Sequence, residues 1–199
     1  MDSIEPVFLY DFNSPYAYLA ASRVDALFQT PPRWQPVAFA FLLIAQQREP
    51  WSFGSERPAG VAECERRAAA YGLPPMAWPP GWPQESYSLD PLRAALVAQE
   101  HGLLREYSTA AFARNFVAGT GLLGDAHLDV AEQVGLDREV VRDGLAGPAR
   151  TRLKELTEAA IAAGVPGVPT VTVGDEHFWG DDRLEDAARA ALSGTPSVG

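Results

Sequence analysis

The stretch Val7-Phe8-Leu9-Tyr10-Asp11-Phe12-Asn13-Ser14-Pro15-Tyr16-Ala17-Tyr18-Leu19 decides the fold. Its first four residues are a continuous apolar run of strand formers, the pattern of a strand buried on both faces. Asp11-Phe12-Asn13 reads as a loop. Ser14-Pro15 then reads as a helix start, because serine caps free backbone N–H groups and proline suits the first helical position. Tyr16, Leu19, Ala20, Val24, Leu27 and Phe28 share one face of that helix, and Pro31-Pro32 end it. Trp34 to Phe41 reads as a second strand, so the N-terminal unit is β-α-β.

Beyond it, from about Gly60 to Ala163, the pattern is helical almost throughout. Asp90-Pro91 and Asp137 read as helix starts. Tyr107, Ala110, Ala111, Arg114 and Val117 give one helical face, and Leu153, Leu156, Ala160 and Ala163 another. The intervening Leu73-Pro74-Pro75-Met76-Ala77-Trp78-Pro79-Pro80-Gly81-Trp82-Pro83 reads as a stiff loop whose tryptophans pack on the domain, or as a polyproline ligand. At the C-terminal end β structure returns. Thr170-Val171-Thr172-Val173, a Gly174-Asp175 turn and His177-Phe178-Trp179 predict a hairpin. Asp181 to Leu192 reads as a helix, and Ser193 to Gly199 as a frayed tail.

This order is α/β: a thioredoxin-like β-α-β…β-β-α core carrying a large all-helical insertion. It assigns residues 1–45 and 164–199 to a discontinuous thioredoxin-like domain and 46–163 to the helical insertion. The 199 residues, 47% hydrophobic and 21% charged, suit that one-domain-plus-insertion size. A formal charge of −10 argues against a nucleic-acid or anionic-membrane partner. Met1 to Pro6 carries two acids and no basic segment, so no secretory signal is expected there. The longest apolar run, Val37 to Ala45, has nine residues, about half a membrane span. The expected location is the cytoplasm.

Chemistry concentrates at two places. In a thioredoxin-type fold the redox Cys-x-x-Cys pair sits where the first strand meets the first helix. Here that position reads Ser14-Pro15-Tyr16-Ala17, and Cys64 is the only cysteine, so no disulfide can form within the chain. A hydroxyl at a helix N-terminus suits an anion, including a thiolate brought by another molecule, although capping alone also accounts for Ser14. The second place is Gly164-Val165-Pro166-Gly167-Val168-Pro169-Thr170. Val-Pro-Thr leading into a strand is where such folds place a cis-proline, with the backbone of the preceding residue, Val168, open to pair with a ligand. Asp181 and Asp182 stand at a helix start, where carboxylates cap the helix or accept from a ligand ammonium group.

Together, Asp11-Phe12-x-Ser14-Pro15-Tyr16, Gly167-Val168-Pro169-Thr170 and Phe178-Trp179-Gly180-x-Asp182-Arg183-Leu184 resemble the 2-hydroxychromene-2-carboxylate isomerase family. That family is related to kappa-class glutathione transferases and to the disulfide-oxidoreductase branch of the thioredoxin superfamily. Arg66-Arg67-Ala68 through Tyr71-Gly72-Leu73-Pro74 is similar to its arginine-rich helix and turn. The resemblance implies glutathione, or another low-molecular-weight thiol, as cofactor. It implies that Ser14 hydrogen-bonds the sulfur, that Val168, ahead of Pro169, bonds the cysteinyl backbone, and that Asp181 and Asp182 hold the γ-glutamyl end. The implied reaction is thiolate addition to an aromatic conjugated 2-oxo acid, bond rotation and elimination. Phe12, Tyr16, Trp51 and Trp179 are then candidate walls for a small aromatic substrate, or core residues. The chain departs from the family at Ser55-Glu56-Arg57-Pro58-Ala59, where a lysine and a tyrosine are usual. Relatives suggest a homodimer.

A kappa-like transferase, which would release a stable conjugate, and a non-catalytic thioredoxin-fold binding module are the alternatives. His101, His127 and His177 lack a metal-ligand spacing, so no metal is expected. No nucleophile elbow surrounds Ser14. Cys64, between Glu63 and Glu65, is expected to be an unreactive thiol. Glu65-Arg66-Arg67 reads as a solvated helix face.

Overall fold

A computed structural model describes residues 5–86 and 88–193. Four strands form one mixed sheet in the order β2-β1-β3-β4. Strand β1 (Val7–Tyr10) runs parallel to β2 (Arg33–Pro36) and antiparallel to β3 (Thr170–Val173). Strand β4 (Glu176–Trp179) closes the expected hairpin through Gly174-Asp175. Gly174 has φ +59°, the left-handed value that a two-residue turn needs at its first position. The central β1 is buried on both faces apart from half-buried Val7, as its apolar run predicts.

The first helix is shorter than its periodicity suggests. It divides into α1 (Pro15–Ala21) and a single turn, α2 (Val24–Leu27). The Ser22 hydroxyl donates to the Leu19 carbonyl at 2.7 Å, drawing the backbone out of the helical ladder. The second strand is also shorter. The expected strand Trp34 to Phe41 ends at Pro36, and Phe39–Ala45 is helix α3. Backbone donors leave the sheet here: Ala38 N–H goes to Thr157 Oγ1 at 3.0 Å, and Phe39 N–H to Asp11 Oδ2 at 2.9 Å. Asp11 also accepts from Asn13 N–H at 2.8 Å, so this buried carboxylate fixes both the β1–α1 loop and the start of α3. Burial pushes its pKa up, opposed by these hydrogen bonds.

The helical block consists of α4 (Arg57–Ala70), α5 (Leu89–Glu100), α6 (Leu104–Phe116), α7 (Ala126–Gln133), α8 (Arg138–Leu145) and α9 (Pro148–Ala162). Asp137 caps α8 as expected, accepting from Glu139 N–H at 2.7 Å. One continuous apolar core joins the sheet to this block, from Phe8 and Tyr10 to Leu92, Phe112 and Phe116. Two buried polar contacts pin the junction: Tyr10 Oη to Ser108 Oγ at 2.6 Å, and Asn115 Nδ2 to the Phe12 carbonyl at 2.8 Å. The proline-rich loop packs down. Trp82 is buried, and its indole donates to the Asn13 carbonyl at 3.1 Å. The C-terminal segment expected as one helix opens with a 3-10 turn (Asp181–Arg183) before α10 (Leu184–Ser193). The rest of the expected tail, 194–199, lies outside the described residues, as do 1–4. Among the described residues no helix is long and apolar enough to cross a membrane, and no group of three or more His, Cys, Asp or Glu is placed to hold a metal ion.

Candidate active site

Ser14 lies where β1 feeds α1. Its hydroxyl oxygen accepts from Ala17 N–H at 3.2 Å, and the hydroxyl donates to the Val168 carbonyl at a long 3.4 Å. The serine is thus a helix cap and at the same time faces the Val168–Pro169 segment, whose peptide bond is cis. The Val168 N–H has no acceptor among the described residues. Both residues open onto a cleft of about 470 Å³, within the range of small-molecule sites. Tyr16, Trp51, Trp179, Asp181 and Asp182 line the same cleft, so tertiary structure brings together the candidates from both ends of the chain.

Phe12 is the exception. Its side chain is fully buried, 5.0 Å centroid to centroid from Phe112 and 6.1 Å from Tyr107, and it borders a separate cavity of about 210 Å³. It is a core residue and not a wall of the cleft, because the loop after β1 turns it into the aromatic cluster of Tyr10, Tyr107 and Phe112.

The two acids also differ in their surroundings. Asp181 is fully buried, and both carboxylate oxygens are taken: Oδ1 by Arg67 at 2.7 Å and Oδ2 by the Tyr71 hydroxyl at 2.8 Å. Burial raises its pKa, and Tyr71 and Arg67 hold it down in part. Asp182 is exposed and lies 3.3 Å from Arg67, which leaves it the more available carboxylate. Arg67 itself turns inward over the Tyr16 ring, 5.4 Å from its centroid, while its neighbour Arg66 points to solvent. The solvated-face reading therefore holds for Arg66 and fails for Arg67. The signal was present: Gly60, Cys64, Arg67, Ala68 and Tyr71 repeat at helical spacing, so Arg67 sits on the apolar face of α4.

Arg48 is the second cation that sequence reasoning missed. Its guanidinium stacks on Trp179 at 4.9 Å and donates to the Pro166 carbonyl at 2.8 Å. Among the described residues it has no carboxylate partner. Arg57, which stands in the stretch where a lysine is usual, donates to the Trp82 carbonyl and stacks on that ring, outside the cleft lining.

Two glycines seat the indole walls. A methyl group on Gly60 would lie 2.3 Å from the Trp51 ring, and one on Gly167 would lie 2.9 Å from Trp179 Nε1. Alanine normally stabilises a helix interior relative to glycine. At Gly60 in α4 the sign should reverse: Gly60→Ala is expected to cost about 1–3 kcal/mol by overpacking, with a shifted tryptophan emission as Trp51 moves. Unchanged emission together with a gain in stability would contradict this seating.

Cys64 is buried, and burial pushes its thiol up to about 12, with Asp181 and Glu63 adding and the Tyr16 hydrogen bond opposing. The unreactive thiol was expected from acidic neighbours, but burial is the larger cause. A disulfide reagent at pH 8 should label the native protein roughly a hundredfold or more slower than the denatured chain. Tyr71 is likewise raised to about 12, chiefly by burial. For both groups the folded value lies above the unfolded one, so their contribution to stability is complete below about pH 9 and is lost as pH rises toward 12. The melting midpoint should fall across that window.

These features define a thioredoxin-type binding cleft with its cysteine pair replaced. The chain belongs to the DSBA-like thioredoxin domain family, which matches across residues 7–191. Within it, the relatives are 2-hydroxychromene-2-carboxylate isomerases. The one from Pseudomonas putida is 30% identical over 194 residues, covering 89% of each chain, and the one from Sphingobium xenophagum is 28% identical over 186 residues, covering 89% of this chain and 93% of the relative. A solved structure of 2-hydroxychromene-2-carboxylate isomerase superposes with a TM-score of 0.74 at 27% identity, covering 94% of this chain and 95% of the other. The expected family and fold are thereby borne out, as is an enzyme of the isomerase kind.

Proposed function

We propose that this isomerase depends on a low-molecular-weight thiol, glutathione, and acts on an aromatic conjugated 2-oxo acid. The observation that carries the proposal is the Ser14 hydroxyl facing Val168 in a cleft walled by aromatic rings, Tyr16, Trp51 and Trp179 among them. The residues suit such a thiol. The unpartnered Val168 N–H is available to its peptide backbone, Asp182 to its ammonium group and Arg48 to a carboxylate. Bound there, the thiol supplies a nucleophilic sulfur that opens a conjugated C=C bond to rotation and is released unchanged. Ser14 donates its hydrogen bond to the sulfur anion in exchange for the weak one to Val168, which favours the ionised form. Tyr16, Trp51 and Trp179 hold the aromatic ring and exclude water. Arg67 acts indirectly: by neutralising Asp181 it holds the end of β4 against α4, where Asp182 is presented.

Turnover of an aromatic 2-oxo acid, followed by its ultraviolet absorbance with and without glutathione, tests this reading. The expected result is isomerisation that requires the thiol and leaves it unmodified. A stable conjugate would make the protein a kappa-like transferase, and turnover without thiol would overturn cofactor dependence. Glutathione at a hundredfold its dissociation constant should raise stability by about 2.7 kcal/mol. Absence of a shift would exclude glutathione as the thiol.

A further inference from the structure

Helix α3 has two working faces. Phe39 and Leu43 line the cleft, whereas Phe41 and Ile44 point the other way into a groove of about 800 Å³ shared with α9 and the start of α5. The groove floor is apolar: Leu153 and Ile161 lie opposite Phe41 and Ile44, which are 48% and 69% exposed. Isolated large apolar side chains at such exposure are common; here two of them line one concave groove.

The charge around this groove runs against that of the chain. Arg93, Arg150 and Lys154 line it, with Glu158 as the one acid in the lining, in a protein of net charge −10. Two of the cations have partial partners: Arg93 Nη1 bonds Asp90 at 2.7 Å, and Lys154 Nζ is 3.7 Å from Glu158. The Arg93 Nε is buried with no hydrogen-bond partner, and among the described residues the Arg150 side chain has neither a hydrogen bond nor an ion pair. Arg150 stands in the first turn of α9, which carries no acid, and Lys154 follows one turn further on. A helix dipole favours anions in the first turn, so Arg150 is placed where the helix itself disfavours a cation. An anion bound there would satisfy the dipole, Arg150 and Arg93 together.

We propose that this groove binds an amphipathic organic anion. Its apolar or aromatic body lies against Phe41, Ile44, Leu153 and Ile161, and its carboxylate or sulfonate head pairs with Arg93, Arg150 and Lys154. The concave volume suits a small molecule better than a flat protein face, which would leave it unfilled. The proposal stands apart from the catalytic reading, because none of these residues lines the cleft.

The test is a fluorescence titration with 8-anilinonaphthalene-1-sulfonate in the presence of saturating glutathione and a cleft-directed aromatic 2-oxo acid. One saturable site is expected, weakened about tenfold or more by the double substitution Arg150→Gln with Lys154→Gln, and weakened again by raising salt. Ile44→Ser on the opposite wall should weaken it too, which separates loss of the site from a fault in α9. N-phenyl-1-naphthylamine has the same apolar body without the sulfonate, and its affinity should not respond to the charge substitutions. Equal affinity in wild type and both variants would overturn the proposal. So would displacement of the probe by the cleft ligand, or sedimentation showing a dimer that Ile44→Ser dissociates, since a second copy would then cover the groove.

Discussion

Ser14→Ala is expected to lower the thiol-dependent turnover about 10- to 100-fold near neutral pH. A hydrogen bond to a charged acceptor contributes about 1.5–3 kcal/mol, and if it is made only to the ionised sulfur, its loss raises the bound thiol's pKa by roughly one to two units. The deficit should therefore narrow as pH rises and the variant's thiol ionises unaided. Ultraviolet absorbance of the bound thiolate against pH reads the shift directly. The same substitution also removes the cap on α1, costing about 1 kcal/mol of stability. Asp137→Ala removes the cap on α8, far from the cleft, and supplies the control: similar destabilisation with activity retained. An unchanged thiolate pKa in Ser14→Ala would leave the serine as a cap and nothing more.

Arg67→Ala should produce the largest loss of stability, about 3 kcal/mol or somewhat more, because it strips a buried carboxylate of its cation. Asp181 would retain only the Tyr71 hydroxyl. The pH dependence follows from the direction of its shift. Burial already raises the Asp181 pKa above its unfolded value, and removing Arg67 raises it further. Stability associated with protonated Asp181 is complete below the unfolded value of about 3.9 and is lost as pH rises through the folded one. The Arg67→Ala deficit should thus be small near pH 4 and full at pH 7, as read from denaturation midpoints. Asp181→Asn should be far milder, since the amide keeps an acceptor oxygen and removes the buried charge. Equal losses in the two variants would argue against Arg67 as the neutralising partner.

Sequence reading succeeded where the determinants are local. The Ser14-Pro15 start, the Gly174 turn and the Asp137 cap each depend on a few neighbouring residues, and each is found as expected. It failed where partners are distant. The run Val37 to Ala45 suits a buried strand or a buried helix equally, and the outcome rests on Asp11 and Thr157, which capture the backbone donors of Ala38 and Phe39. The helix break after Ala21 brings Arg23 over the Tyr71 ring, 3.9 Å from its centroid, a contact that no spacing in the N-terminal segment announces.

The site divides along the same line. From the sequence alone come the loss of both redox cysteines, with Ser14 in their place, the Val168-Pro169-Thr170 strand entry and the pairing of Asp181 with Asp182. Residue types and their near neighbours are enough to specify those. Only the tertiary structure decided that Phe12 belongs to the core, that Arg67 and Tyr71 occupy both oxygens of buried Asp181 while Asp182 stays exposed, and that Arg48 reaches the cleft across Trp179. Those outcomes depend on which buried charges and rings find partners far along the chain, and burial with its desolvation cost exists only once the chain has packed.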